Sequence, residues 1–100
     1  MPFEWDDEKD KANRANRKRH GLSFEEVVEL FTSGVDFLDI YDENHSEAED
    51  RFIAIGSIHS GVVVVVYTER QDDVVRIVSA RSATKKEIQL FHKHLEGKRD

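Results

Sequence analysis

The chain has 100 residues, 38% of them hydrophobic, enough for one modest core and not for two, so a single domain over residues 1–100 is expected. No apolar run approaches the roughly 20 residues that cross a bilayer, the first ten residues are acidic where a secretory signal is basic and then apolar, and the absence of cysteine removes disulfides, thiolate nucleophiles and cysteine metal sites together. The expectation is a soluble, cytoplasmic protein whose net charge of -6 argues against a general nucleic-acid coat.

The first helix is predicted to begin after Asp6, whose side chain can cap it, with Asp7 and Glu8 in its first turn and Arg17, Lys18 and Arg19 in its last, and Gly21 ends it. "SFEE" then reads as a capping box, Ser23 with Glu26, and Phe24, Val27, Val28 and Phe31 recur at helical spacing, so a second helix runs to about Ser33 with Gly34 as its stop. From there the period changes. "DFLDIYD" alternates with Leu38 and Ile40 on one side and reads as an edge-like strand, and "RFIAIGSI", "VVVVVYT" and "VVRIVSA" follow as three more strands joined by turns short enough for antiparallel hairpins. The valines at 62–66 leave no polar face, which places that strand in the middle of the sheet. "TKKE" is a second capping box, Thr84 with Glu87, opening a helix whose Ile88, Phe91, His92 and Leu95 share a face. The expected architecture is α+β: two N-terminal helices, a four-stranded antiparallel sheet and a C-terminal helix.

Charge is unevenly divided along these elements. Residues 9–20 carry Lys9, Lys11, Arg14, Arg17, Lys18 and Arg19 against Asp10 alone, whereas 36–50 carry seven acidic residues and no Lys or Arg. A basic run at a helix C-terminus has a plain explanation, since cations complement the helix dipole there. Lys85 and Lys86 do not share it: they stand in a first helical turn, where cations oppose the dipole unless an anion is present, and Arg76 and Arg81 lie just before them. Two cationic clusters point to a phosphate-bearing partner.

His20, at the end of the basic run, is a candidate base near neutral pH and equally a helix C-cap. No H-E-x-x-H, calcium-loop, G-x-S-x-G or glycine-rich phosphate motif is present. Cationic and imidazole groups without a metal suffice for RNA cleavage through its own 2′-hydroxyl, and they suffice equally for binding without cleavage.

"FEWD", Lys9 four residues after Trp5, a basic stretch ending "HGLSFEE", then "HSEAEDRFIAIG", "VVYTER" and "RIVSARSATKKE" follow in an order that resembles the BrnT family of type II toxin–antitoxin toxins across nearly the whole chain. The resemblance implies a RelE-like fold, a metal-independent and cofactor-free ribonuclease activity that blocks translation, neutralisation by a BrnA-type antitoxin, and contact with operator DNA only through that complex. It carries Trp5, Lys9, His20, Arg51, Arg76 and Arg81 over as motif positions, with Glu49 and Glu87 as acidic companions. The roles expected here are His20 as base or acid, Arg76 and Arg81 as phosphate and transition-state clamps, Arg51 as a further member of the catalytic set, and Lys9, Arg17, Lys18, Arg19 and Lys85 as substrate contacts. Trp5 has two readings, a stacking platform for a base and a closure for the small core, and Arg51 has a second one in a pair with Glu49.

The sequence also departs from the family pattern. The duplication "NRANRK" at 13–18 adds about one helical turn, roughly 5 Å, between Lys9 and His20. Phe91 stands where relatives often carry Tyr, and Ile88 and Gln89 where they often carry Arg. These departures support a rival expectation, a BrnT-like binding module of weak or no catalytic activity that acts through antitoxin binding and operon repression.

Overall fold

In the computed structural model, which describes residues 2–16 and 21–98, five strands form one sheet in the order β1-β5-β4-β3-β2. They are β1 (Phe3–Glu4), β2 (Leu38–Tyr41), β3 (Arg51–Ile58), β4 (Gly61–Glu69) and β5 (Val75–Ser82). Strands β2 to β5 make the expected antiparallel meander. β4 holds the centre, as its valine run requires, and β2 lies at one edge. The helical segments are α1 (Asp7–Ala15), α2 (Phe24–Val27), α3 (Glu29–Thr32) and α4 (Lys85–Glu96).

Three expectations need correction. The sheet is five-stranded and mixed, because β1 pairs parallel with β5, Phe3 opposite Val75 and Glu4 opposite Arg76, and the Val75 amide donates to the Pro2 carbonyl at 2.9 Å. Two residues are too few to show a period of two, so this strand leaves no mark in the pattern. The second predicted helix is divided at Val28, whose amide bonds three residues back to the Glu25 carbonyl at 3.2 Å, a tightened turn that separates α2 from α3. The first helix stops at Ala15, with Asn16 in an extended conformation, so Arg14 is the basic residue of its last turn. Arg17, Lys18, Arg19 and His20, expected at that helix end and in the site, lie outside the described residues.

The caps stand where the sequence places them. Asp6 accepts from the amides of Glu8 and Lys9, at 2.9 and 3.3 Å, and both capping boxes, Ser23 with Glu26 and Thr84 with Glu87, are closed in each direction. α1 is tied to α2 by polar contacts: Asp10 accepts from the Phe24 amide at 2.8 Å, and the buried Asn13 amide group donates to the Leu22 carbonyl at 2.8 Å.

The two faces of the sheet are covered differently. On one, Leu22, Phe24, Val27 and Leu30 pack with Val65, Tyr67, Ile77 and Ala80, and Phe3, Trp5, Phe31, Phe37 and Phe52 close the rim. The approach is tight enough to demand glycine at 56, where a Cβ would stand 2.5 Å from Leu30 Cδ1 and 2.7 Å from Phe37 Cβ. On the other face α4 seats Phe91 against Ile55 and Val64, a much smaller cluster.

Candidate functional site

Residues directly opposed on neighbouring strands share a face of a sheet. The register gives three such rows: Leu38, Ile55, Val64 and Arg81; Ile40, Ile53, Val66 and Ser79; and Arg51, Thr68, Arg76 and Glu4. Ile55 and Val64 touch Phe91, so all three rows lie on the α4 face. α4 covers the first row, while Ile40 in the second remains 38% exposed. The third row crosses four strands with two guanidiniums flanking one threonine.

A backbone irregularity brings Arg76 and Arg81 to this same face. They are five residues apart on β5, an odd separation that sends side chains to opposite faces of a regular strand. Between Val66 and Tyr67 the register shifts, with Ser79 opposite Val66 but Ile77 opposite Tyr67, so β5 carries one extra residue as a bulge. The bulge reverses the alternation and aligns the two arginines.

The three arginines differ in what already holds them. Arg81 makes a bidentate pair with Glu87, both contacts at 2.7 Å. The hydrogen bonds from Arg81, with the Thr84 amide adding to them, hold the Glu87 carboxyl down to about 2, and the same pairing raises the Arg81 guanidinium. Glu87 also puts a favourable negative charge in the first turn of α4, the turn that carries Lys85 and Lys86. Arg76 leans on Glu4 at 3.5 Å, and the same Glu4 oxygen takes Arg70 Nε at 3.0 Å. Arg70 in turn lies 3.8 Å from Glu49, so Glu49 pairs with Arg70 and not with Arg51. No hydrogen bond or ion pair joins the Arg51 guanidinium to a described residue, and its buried Nε has no partner. The hydroxyl of Thr68 opposite it is equally buried and unpartnered.

A cleft of about 500 Å3 lined by Glu4, Glu49, Glu69, Arg70, Gln71 and Val74 adjoins the Glu4 end of the row. The arrangement offers positive charge to a phosphate, with Arg51 the least committed donor. It leaves proton transfer to another group, because a guanidinium keeps its proton.

Other predicted site residues lie elsewhere. Trp5 packs edge-on against Phe24, ring centroids 6.3 Å apart, in the aromatic core on the opposite face, so it is not brought to the arginines. Lys9 is exposed on α1, and Lys85 is exposed on the first turn of α4 close in sequence to Glu87. Phe91, on the inner side of α4, is buried. Two described histidines are hydrogen-bonded to carboxylates, His45 to Asp42 at 2.9 Å and His59 to Glu29 at 2.7 Å, while the buried His94 Nε2 lies 3.3 Å from Asp36 without a hydrogen bond. Among the described residues no group of three or more His, Asp or Glu side chains is arranged to hold a metal ion, and no helix is long and apolar enough to cross a membrane. Sequence reasoning missed Glu4, Arg70 and Thr68. Thr68 has a readable signal, since in "VVYTER" it continues the even-numbered phase of Val62, Val64 and Val66 with a polar side chain.

Two comparisons bear on what this site serves. The model of the family described as "Ribonuclease toxin, BrnT, of type II toxin-antitoxin system" matches residues 5–87. The crystal structure of the Brucella abortus ribonuclease toxin BrnT, at 1.1 Å resolution, is similar to this fold with a TM-score of 0.60 and 26% identity, covering 85% of this chain and 99% of that one. No curated protein matches the chain closely enough to add to these findings. The family match takes in all three arginines, Thr68 and the Arg81–Glu87 junction, and the chain belongs to the BrnT family of type II toxin–antitoxin ribonuclease toxins.

Proposed function

We propose that the chain is an endoribonuclease toxin that cuts RNA without a metal ion, inhibits translation and is neutralised by a BrnA-type antitoxin, with operator DNA contacted only through the toxin–antitoxin complex. The observation that carries this reading is the bulge in β5, which costs ladder regularity and brings Arg76 and Arg81 to the face that carries Arg51. RNA cleavage through the 2′-hydroxyl needs positive charge where the pentacoordinate phosphate forms, and preorganised guanidiniums on a sheet supply it without reorganisation. Arg51 is the primary phosphate contact, because the other two arginines already hold carboxylates. Arg76 is the second clamp, released from Glu4 as the more negative phosphate arrives. Arg81 and Glu87 form one rigid unit at the head of α4, and Lys85 beside them steers RNA. His20 takes or gives the proton, and Lys9, Arg17, Lys18 and Arg19 hold flanking phosphates.

Two observations favour the binding-module reading: Arg81 is already paired bidentately with Glu87, and Phe91 is buried with no hydroxyl to offer. Regulated expression of the chain alone, following growth and total RNA beside an Arg81→Ala control, separates the two. Arrest with RNA cleavage that the control lacks supports the enzyme. Normal growth with intact RNA from a folded product supports the module.

A further inference from the structure

Arg51 and Thr68 stand directly opposite each other on β3 and β4, a relation that puts their Cβ atoms about 4.5–5.5 Å apart. The Arg51 Nε–H is a buried donor without an acceptor, and the Thr68 hydroxyl oxygen is a buried acceptor without a donor. Buried polar groups are as a rule hydrogen-bonded, so two unmet and complementary ones side by side call for an explanation. Thr68 is 0% exposed, so its hydroxyl does nothing for solubility, and on the α4 face of β4 it follows Val62, Val64 and Val66. A fourth valine has nearly the same shape and no hydroxyl to desolvate. The hydroxyl is therefore a cost to the folded chain unless it acts in another state.

We propose that Thr68 is the positioning residue for Arg51: when RNA binds, Arg51 Nε–H donates to Thr68 Oγ1 and the guanidinium plane is fixed with both terminal nitrogens toward a phosphate oxygen pair. This rests on the reading of the arginine row as the RNA site. Arginine has five donors in a rigid fork, so anchoring Nε from behind leaves the outer edge for bidentate phosphate contact. β-branched threonine on the central strand is a stiff anchor, since its χ1 has few choices. Without the anchor Arg51 still carries its charge but spreads over several orientations, and binding falls by the ordering it must then undergo.

The test uses the purified full chain with Thr68→Val and Thr68→Ser. It reads thermal unfolding, affinity for an RNA oligonucleotide methylated at every 2′-oxygen so that it cannot be cut, and the NMR signal of the Arg51 Nε–H. Thr68→Val is expected to unfold at or above the parent midpoint, to bind RNA about tenfold more weakly and to lose the displacement of the Nε–H signal that RNA causes in the parent. Thr68→Ser, which keeps the hydroxyl, is expected to bind within about twofold of the parent. Parent-like affinity in Thr68→Val, or an equal Nε–H displacement in parent and Thr68→Val, overturns the proposal. A parent that binds the blocked RNA but never cuts an unblocked one defeats only the ribonuclease reading, and a parent that binds no RNA overturns both.

Discussion

The two faces of the sheet are built from the same strands and solve different problems. The face under α1, α2 and α3 is closed by aromatic and aliphatic side chains, and its polar ties, Asp10 to the Phe24 amide and Asn13 to Leu22, are all satisfied. The α4 face is half closed: Phe91 seals a small cluster with Ile55 and Val64, and beyond it lie Arg51, Thr68 and Arg76 with two buried polar atoms unmet. Stability is concentrated on the first face and uncommitted charge on the second, which is the division expected when a site must bind a polyanion and the fold must survive without it.

That contrast can be broken most forcefully on the closed face. Phe24→Ala removes a ring that is 1% exposed and is expected to cost about 3–5 kcal/mol, read by chemical denaturation. Gly56→Ala, which forces α3 away from β3, is expected to cost about 1–3 kcal/mol and to lower the thermal midpoint while leaving residual RNA binding per folded molecule unchanged. On the α4 face the effects are smaller and depend on pH. The Glu87 carboxyl is held near 2 in the folded chain against 4.5 for the ordinary group, so its stabilisation is present above pH 4.5 and is lost as pH falls through about 2. Arg81 is 37% exposed at the side chain, and solvent screening limits the loss to about 1 kcal/mol. Glu87→Gln should flatten the acid limb of the stability curve over that window. The least effect is expected at the β4–β5 turn, where Asp73 has φ +59°. Asp73→Gly relieves roughly 1–2 kcal/mol of left-handed strain and adds about 0.5–1 kcal/mol of unfolded-state entropy, for a net stabilisation of about 0.5 kcal/mol, read from the denaturation midpoint.

Much of the scaffold on both faces is legible in the sequence alone. Ser23 with Glu26 at the head of α2, Thr84 with Glu87 at the head of α4 and the valines at 62–66 in the central strand are local signals whose meaning does not depend on distant residues. β1 is not legible, because a two-residue strand exists only through its partner 72 positions away, Phe3 opposite Val75. The candidate site divides the same way. Arg51, Arg76 and Arg81 are recognisable as residues from motifs, but strand alternation alone separates Arg76 from Arg81, and only the bulge at Val66/Tyr67 reunites them. Which arginine is free is equally hidden, since Glu4 and Glu87 reach their partners through pairing and capping geometry. Trp5 teaches the converse: a motif aromatic can be read as a stacking platform while the fold seats it against Phe24.

The most direct test of the account is the rate of RNA cleavage by the purified chain beside Arg51→Ala, with thermal unfolding of both. Arg51 makes no ion pair with a described residue, so the variant should unfold within a degree or two of the parent, a change of under about 0.5 kcal/mol. Its kcat/KM should fall about 100-fold or more, as for loss of one preorganised transition-state donor. A well-folded Arg51→Ala that cuts RNA within twofold of the parent would remove the arginine row from the reaction and contradict the account.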